Sequence, residues 1–333
     1  MLLNDNQYLS VVEEIKNKIQ SARYKATVAV NSELVLLYHS IGQTINEHKA
    51  WGNKFIDNLA KDIALAYPEA KGYSVRNLKY MAKFAAEFTD IQFVQQAVAQ
   101  IPWGHIIVLL DSVPLDEQRR WYILNTIENG CSRSVLVHQI ESKLYERQVI
   151  AEKVSNFDCR LPTPQSELAV QTMKDPYVFD FVPFSRDMAE RDIENALVKD
   201  VTAFLLELGT GFAFLGHQYH LNVGGDDFYI DLLFYNINLR CYVVIELKNE
   251  KFKPEHAGQL SFYISAVDGE LKKEGDNPTI GLLLCKSKNN LVAEYALQDV
   301  NKPMGISEYR LGELPEEYKN LLPSIEDIQK RIK

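Results

Sequence analysis

Thiols, long apolar runs and excess positive charge are all scarce in this sequence. Its 333 residues hold four cysteines, Cys131, Cys159, Cys241 and Cys285, and no two of them form a C-x-x-C pair. That spacing supports neither a structural zinc site nor a disulfide framework, and it suits a reducing, cytoplasmic setting. No apolar run approaches the roughly 20 residues that span a bilayer, so no membrane is expected among the partners. The opening MLLNDNQYLS shows neither the basic start nor the apolar core of a secretory leader. A phosphate-cradling loop is missing too. The segment GTGFAFLG at 209–216 lacks the preceding strand and following helix that such a loop requires, so no nucleotide cofactor is expected. His217 and His220 lie three apart in the next strand. They point to opposite faces and cannot chelate one metal.

The net charge is −9. Residues 1–150 carry 16 Lys+Arg against 16 Asp+Glu, and the remainder carries 20 against 29. This is not the footprint of a strongly basic DNA-binding protein. Nucleic acid is not excluded by it, because a bound metal can supply positive charge where phosphate docks.

What the sequence does have is a hairpin with charges in the wrong place. Residues Tyr229 to Lys248 read YIDLLFYNINLRCYVVIELK. Two apolar runs, Phe228–Tyr235 and Cys241–Leu247, are rich in β-branched and aromatic residues and read as buried strands. Unpaired charge is costly there. Yet Asp231 sits inside the first strand, and Glu246 and Lys248 end the second. Alternation puts Glu246 and Lys248 on one face, and the neighbouring strand can bring Asp231 to it. Two carboxylates can hold Mg²⁺ or Mn²⁺ through oxygen. Such an ion stabilises charge on a phosphodiester, and a lysine can orient water or neutralise the transition state. The pattern D-(x)14-E-x-K resembles the PD-(D/E)XK nuclease superfamily.

After Lys248, EHAGQLSFYISAVDGE reads as a helix with Ala257, Leu260, Ile264 and Val267 as its apolar stripe. Gln259 and Tyr263 are four apart on another face. They resemble the Q-x-x-x-Y element of RecB-like nucleases, which flanks the metal site and contacts substrate. An ordinary amphipathic helix with a partly buried tyrosine is the plainer alternative. Upstream, one helix is expected over Met188–Leu208. Glu194 lies on its apolar face, whereas Glu207 falls towards its outer edge. A carboxylate in the helix before the first core strand is common in PD-(D/E)XK nucleases, which makes Glu194 a further metal-ligand candidate.

The first half is helical throughout. Residues 7–48 allow two helices or one kinked helix, with Gly52 breaking the pattern. Lys54–Tyr67 and Ser74–Phe88 have the proportions of a helix-turn-helix. The second of these presents Arg76, Asn77, Lys79 and Lys83, side chains suited to base edges and phosphates; a solvated helix face would look the same. Pro162, Pro164 and Ser166 mark an interdomain linker at 154–168. The expected domains are therefore 1–153, all-α and helix-turn-helix-like, and 169–333, an α/β restriction-endonuclease-like fold of order α-β-β-β-α-β-(α)-β. A charged helix is expected at Pro315–Ile332.

W51-G52, G72-Y73-S74-V75-R76-N77-L78, W103-G104-H105 and R120-W121-Y122 resemble the N-terminal domain of the YhcG-like bacterial family. DFYIDLLFYN, VVIELK, AGQLSFY and PTIGLLLCKSKN resemble its nuclease domain. The resemblance implies a winged-helix-like or helical N-terminal domain and a C-terminal PD-(D/E)XK endonuclease, without giving a substrate. With the charged hairpin, the expected activity is hydrolysis of DNA phosphodiester bonds with Mg²⁺ (or Mn²⁺). Asp231, Glu246 and Lys248 would be catalytic. The ion would be held by Asp231, Glu246, Glu194 and the Leu247 carbonyl, with Gln259 and Tyr263 beside the substrate. A homodimer would suit cutting both strands. The alternative is a non-cleaving DNA-binding or protein-assembly module on the same fold.

Overall fold

The first helix, α1 (Asn6–Glu47), runs unbroken for 42 residues, about 63 Å at 1.5 Å per residue. The computed structural model describes residues 6–51, 54–183 and 188–312. The helix break at Gly52 and the helix at Pro315–Ile332 therefore lie outside the described residues. Two units result, Met1–Tyr145 and Glu146–Lys333.

In the first unit, α2 (Phe55–Ala66) and α3 (Val75–Glu87) follow α1. Ser74 caps α3, its hydroxyl accepting from Asn77 N at 3.3 Å. The second half of α1 buries Tyr38 and Ile45 with Leu78 and Met81 of α3. Gly42 permits this approach, since a Cβ there would meet the Met81 carbonyl oxygen at 2.0 Å. Helices α4 (Ile91–Gln96), α5 (Trp103–Ser112), α6 (Asp116–Asn129) and α7 (Arg133–Glu141) close a core around Phe84, Ile106, Leu109, Ile123 and Leu136. Among the described residues no single helix is long and apolar enough to cross a membrane.

The second unit begins with a π-helical turn, Glu146–Ile150. Then come β1 (Val154–Ser155), α8 (Phe157–Arg160), α9 (Gln165–Thr172) and β2 (Tyr177–Pro183). Residues 154–168 are thus not a linker. Val154 pairs with Ile306, and Phe157 and Leu161 are buried in the core. Pro164 caps α9; proline suits a helix start as well as a loop, and composition alone did not separate the two.

Helices α10 (Glu190–Lys199) and α11 (Val201–Leu208) replace the single expected helix. Asp200 ends the first and caps the second, accepting from Ala203 N at 3.0 Å. After them come β3 (Phe212–Val223), β4 (Asp226–Asn236), β5 (Cys241–Lys251), α12 (Pro254–Glu270), β6 (Ile280–Ser287), α13 (Asn290–Gln298) and β7 (Met304–Gly312). The strands are ordered β1-β7-β6-β5-β4-β3, and β2 also pairs with β7. β3, β4 and β5 are antiparallel neighbours, whereas β5, β6 and β7 run parallel. Alternation along β5 explains the two cores. Val243, Ile245 and Leu247 pack with Ile193, Leu197 and Phe204 of α10 and α11. Val244 packs with Leu260, Ile264 and Val267 of α12.

Glu207 departs from expectation. It is buried, not at an outer edge, and 6% exposed. Arg147 Nη1 meets its Oε1 at 2.5 Å, and the Val178 amide donates to the same oxygen at 2.8 Å. Lys174 Nζ lies 3.9 Å from Oε2 and donates to the Glu207 carbonyl. The partners come from elements some 30 to 60 residues away, which the helix pattern could not show.

Candidate active site

The ladder between β4 and β5 ends at Leu232↔Ile245, one residue short of Asp231 and Glu246. Beyond that point the Leu247 amide donates to Asp231 Oδ2 at 2.9 Å. The aspartate therefore satisfies a backbone group that the ladder leaves open. Glu246 is 1% exposed and pairs across to Leu283 of β6. Leu247 points into the opposite core. Lys248 Nζ lies 3.0 Å from Glu246 Oε1 and 3.1 Å from Glu190 Oε1. The structure thus brings Asp231, Glu246 and Lys248 together at the end of a buried strand pair.

Helix α10 delivers two carboxylates one turn apart, Glu190 and Glu194. The Asn249 amide donates to Glu190 Oε2 at 3.1 Å, so this side chain grips both Lys248 and the strand after it. Glu194 is 3% exposed. Its Oε2 accepts from Gln218 Nε2 at 2.8 Å, and the same nitrogen lies 3.3 Å from Asp231 Oδ1. Glu190 and Gln218 were not foreseen. A glutamate at a helix start is ordinary, and nothing in the local sequence marks Gln218.

The electrostatics are those of crowded, buried carboxylates. Burial and the Asp231 charge push Glu246 up to about 8, with Lys248 only partly opposing. Burial, then Asp231, raises Glu194 to about 7, with Gln218 opposing. Burial also raises Asp231, against its hydrogen bond from Leu247. Lys248 moves the other way. Burial disfavours its charge, but Glu246 and Glu190 outweigh it and hold the ammonium protonated.

These residues suit a hard divalent cation. Glu246 Oε2 and Glu194 Oε1 are buried without a hydrogen-bond partner, and every side-chain donor available is oxygen. Among the described residues, however, no three carboxylate, imidazole or thiol groups already surround one point. Lys248 leans on Glu246 instead.

A pH prediction follows. Carboxylates whose folded pKa is raised bind more protons folded than unfolded between the ordinary carboxylate value and about 8. Ion-free protein should therefore lose stability as pH rises from about 5 to 8. Melting temperatures in EDTA should be higher at pH 6 than at pH 8, and Mn²⁺ should reverse the loss at pH 8. A flat EDTA profile would count against this account of the site.

On α12, Gln259 is exposed and donates to the Tyr263 hydroxyl at 3.3 Å. Tyr263 is 7% exposed and belongs to the core around Leu260 and Ile264. Burial raises its pKa, with Glu246 and Asp231 adding to the effect across the site. It borders the carboxylates from inside, while Gln259 is the member open to solvent.

Residues 170–323 match the model of the YhcG PDDEXK nuclease domain, and residues 14–147 match that of the DUF1016 N-terminal domain. Over 346 aligned positions the chain is 30% identical to "Putative nuclease YhcG" of Escherichia coli (strain K12), covering 93% of this chain and 92% of that protein. The chain belongs to the YhcG family. Its C-terminal unit has the PD-(D/E)XK, restriction-endonuclease-like fold, and its N-terminal unit is helical. Among solved structures it is similar to a repair endonuclease from Pyrococcus abyssi, at 17% identity over 40% of this chain and 50% of that one, TM-score 0.28. The structure of an EndoMS–dsDNA2 complex matches at 18% identity over 40% of this chain and 49% of that one, TM-score 0.27. The chain spans about half the length of these solved structures.

In the DUF1016 half of this YhcG-family chain, helix α3 carries the four residues singled out for DNA. Two of them are engaged in the fold. Asn77 Nδ2 donates to the Gly72 carbonyl, and its Oδ1 accepts from Trp103 Nε1 at 2.8 Å. Lys83 Nζ donates to the Leu110 carbonyl at 2.6 Å and lies 3.5 Å from Asp111. Asn77 therefore holds the α3 entry turn, and Lys83 caps the end of α5. Arg76 and Lys79 are exposed. With Val75, Tyr80 and Lys83 they line a surface depression of about 540 Å³.

Proposed function

We propose that this nuclease-family protein is an endonuclease that hydrolyses DNA phosphodiester bonds with Mg²⁺ (or Mn²⁺). The observation that carries the reading is the carboxylate notch at the buried end of the β4–β5 pair. There Asp231 neighbours both Glu246, held by Lys248, and Glu194, joined to it through Gln218, with one oxygen each of Glu246 and Glu194 buried without a partner. Asp231, Glu246 and Glu194, with the Leu247 carbonyl, would hold the ion. A divalent ion, once bound, supplies positive charge at the phosphate and makes hydrolysis feasible at neutral pH. Lys248 is tied to Glu246 and Glu190 and kept protonated. Its ammonium suits charge neutralisation and water orientation, and is ill suited to taking a proton. Gln259, open to solvent beside the notch, would contact the strand being cut, and Tyr263 would hold Gln259 in place.

The test is cleavage of a panel of duplex, branched and single-stranded DNA in Mg²⁺ and in EDTA. Turnover is expected only with the ion; cleavage that persists in EDTA would remove the metal mechanism. The rival reading is a non-cleaving DNA-binding or assembly module on the same fold. It draws on the fact that, among the described residues, no three such groups are set around one point. Millimolar Mn²⁺ should bind an active site and leave such a scaffold untouched. A homodimer would bring one site to each strand of a duplex. A cytoplasmic setting would keep Cys131, Cys159, Cys241 and Cys285 as free thiols.

The helical unit would dock DNA through α3, using Arg76 and Lys79. An acidic nuclease domain holds phosphate weakly, since affinity comes largely from cations that release counterions. With Glu246→Gln as a non-cleaving background, Arg76→Ala with Lys79→Ala should weaken binding and lower the slope of log affinity against log salt by roughly one to two units. Lys83→Ala should lower the melting temperature more than it lowers that slope, because Lys83 serves α5. Fluorescence anisotropy at several salt concentrations measures both. An unchanged slope for the double variant would reassign the helical unit to a protein partner.

A further inference from the structure

Strand β3 carries a bulge between Phe214 and Gly216 and, separately, an unusual backbone angle further on. Gln218 has φ +44°, in the left-handed region that side-chain-bearing residues rarely adopt. The pairing on either side is regular, His217↔Leu232 and Tyr219↔Ile230. The positive φ therefore falls on the residue opposite Asp231, within locally regular pairing. Non-glycine residues persist in such conformations only where the surroundings hold them there, and they cluster at functional sites.

The outcome is a specific placement of one amide. Gln218 Nε2 lies 2.8 Å from Glu194 Oε2 and 3.3 Å from Asp231 Oδ1. A primary amide carries two N–H groups, enough for one hydrogen bond to each carboxylate. The two acids come from different elements, α10 and β4, and would repel each other. A neutral group that donates to both keeps them near without adding charge. It also leaves their other oxygens in definite roles. Asp231 Oδ2 accepts from the Leu247 amide, and Glu194 Oε1 is buried with no partner.

We propose that Gln218 is a positioning residue that presets the Glu194–Asp231 carboxylate pair for a shared divalent cation. The proposal rests on the metal-dependent reading above. Hard cations bind carboxylates best when a surrounding set of hydrogen bonds has already fixed their orientation. Gln218 supplies that bond on the α10 side of the notch, and the Leu247 amide supplies it on the β5 side. Gln218 would touch neither the DNA nor the scissile phosphate. Its loss should therefore act on the ion requirement and not on substrate affinity.

The experiment is calorimetric titration of the full chain with Mn²⁺ at pH 8, without DNA. Gln218→Met keeps the length of the side chain and removes its donors. Gln218→Gly also removes them while suiting the left-handed backbone, so a folded variant should be in hand whichever way the strain acts. Circular dichroism checks each fold. Both variants should bind Mn²⁺ about tenfold or more weakly than wild type. In cleavage assays the Mg²⁺ concentration for half-maximal rate should rise similarly, with KM for DNA unchanged. A merely structural Gln218 would lower the melting temperature and leave the Mn²⁺ affinity alone, and that result overturns the proposal. Wild type that binds no Mn²⁺ overturns both this proposal and the metal-dependent reading. Wild-type affinity in both variants overturns this one only.

Discussion

Replacing Glu246 by glutamine is expected to abolish DNA cleavage and at the same time stabilise the ion-free protein at pH 8. The two effects share one cause. Glu246 is 1% exposed, faces Asp231, and has one oxygen without a partner. Its charge is useful only when a cation offsets it. Metal-assisted catalysis is worth several kcal/mol, and about 4 kcal/mol is roughly a thousandfold in rate. The melting temperature in EDTA should rise, and much of its fall between pH 6 and pH 8 should disappear, because the group that titrates near 8 is gone. Asp231→Asn should be as inactive with little change in stability, since the amide oxygen can still accept from Leu247 N. Lys248→Ala should be inactive and less stable, because it leaves Glu246 and Glu190 without their shared cation. Cleavage rates and melting curves on the same preparations decide the matter. A folded Glu246→Gln protein that still cuts at the wild-type rate would remove Glu246 from the chemistry.

The residues that were legible beforehand are those that break a local rule. Asp231, Glu246 and Lys248 are charges in apolar strands, and Glu194 is a carboxylate on an apolar helix face. Each breach needs a partner, and the partners proved to be one another, Gln218 and Glu190. Those two obey every local rule, so sequence gave no hint of them. Gln218 acts through a backbone angle, which side-chain periodicity cannot report. The succession of β3 to β7 along the chain could be read because the apolar runs are long and rich in β-branched residues, whereas their order in the sheet could not. Boundaries were harder. Asp200 is a good capping residue in mid-helix and could have signalled the break between α10 and α11. Pro162 and Pro164 suit a linker and a helix start equally. In the helical unit, Asn77 and Lys83 looked free because their partners, Trp103 and the Leu110 carbonyl, lie 26 and 27 residues away.

Glu207→Ala should be the most destabilising single change in the nuclease unit that leaves the carboxylate notch intact. The Glu207 side chain accepts from Arg147 and from the Val178 amide, and its carboxylate lies within 4 Å of Lys174. Arg147 and Lys174 have 6% and 4% of their side chains exposed. Burial drives the Lys174 pKa down, and Glu207 is the charge that opposes this. Removing one member of a buried ion pair strands the other, at a cost of about 3–5 kcal/mol. Here two buried cations would lose their countercharge and the Val178 amide its acceptor, while Arg147 keeps the Pro176 carbonyl and Lys174 the Glu207 carbonyl. Glu207→Gln should cost less, since its carbonyl oxygen can still serve Val178 or Arg147. Urea unfolding can be read separately for the two units. All three tryptophans, Trp51, Trp103 and Trp121, lie in the helical unit. Their fluorescence should follow that unit, and far-ultraviolet circular dichroism should follow both. The expected result is a large drop in the midpoint of the dichroism transition that has no tryptophan counterpart. The network would be dispensable if Glu207→Ala left that midpoint where it was. The Arg147–Glu207–Lys174 contacts would then specify geometry without contributing net stability.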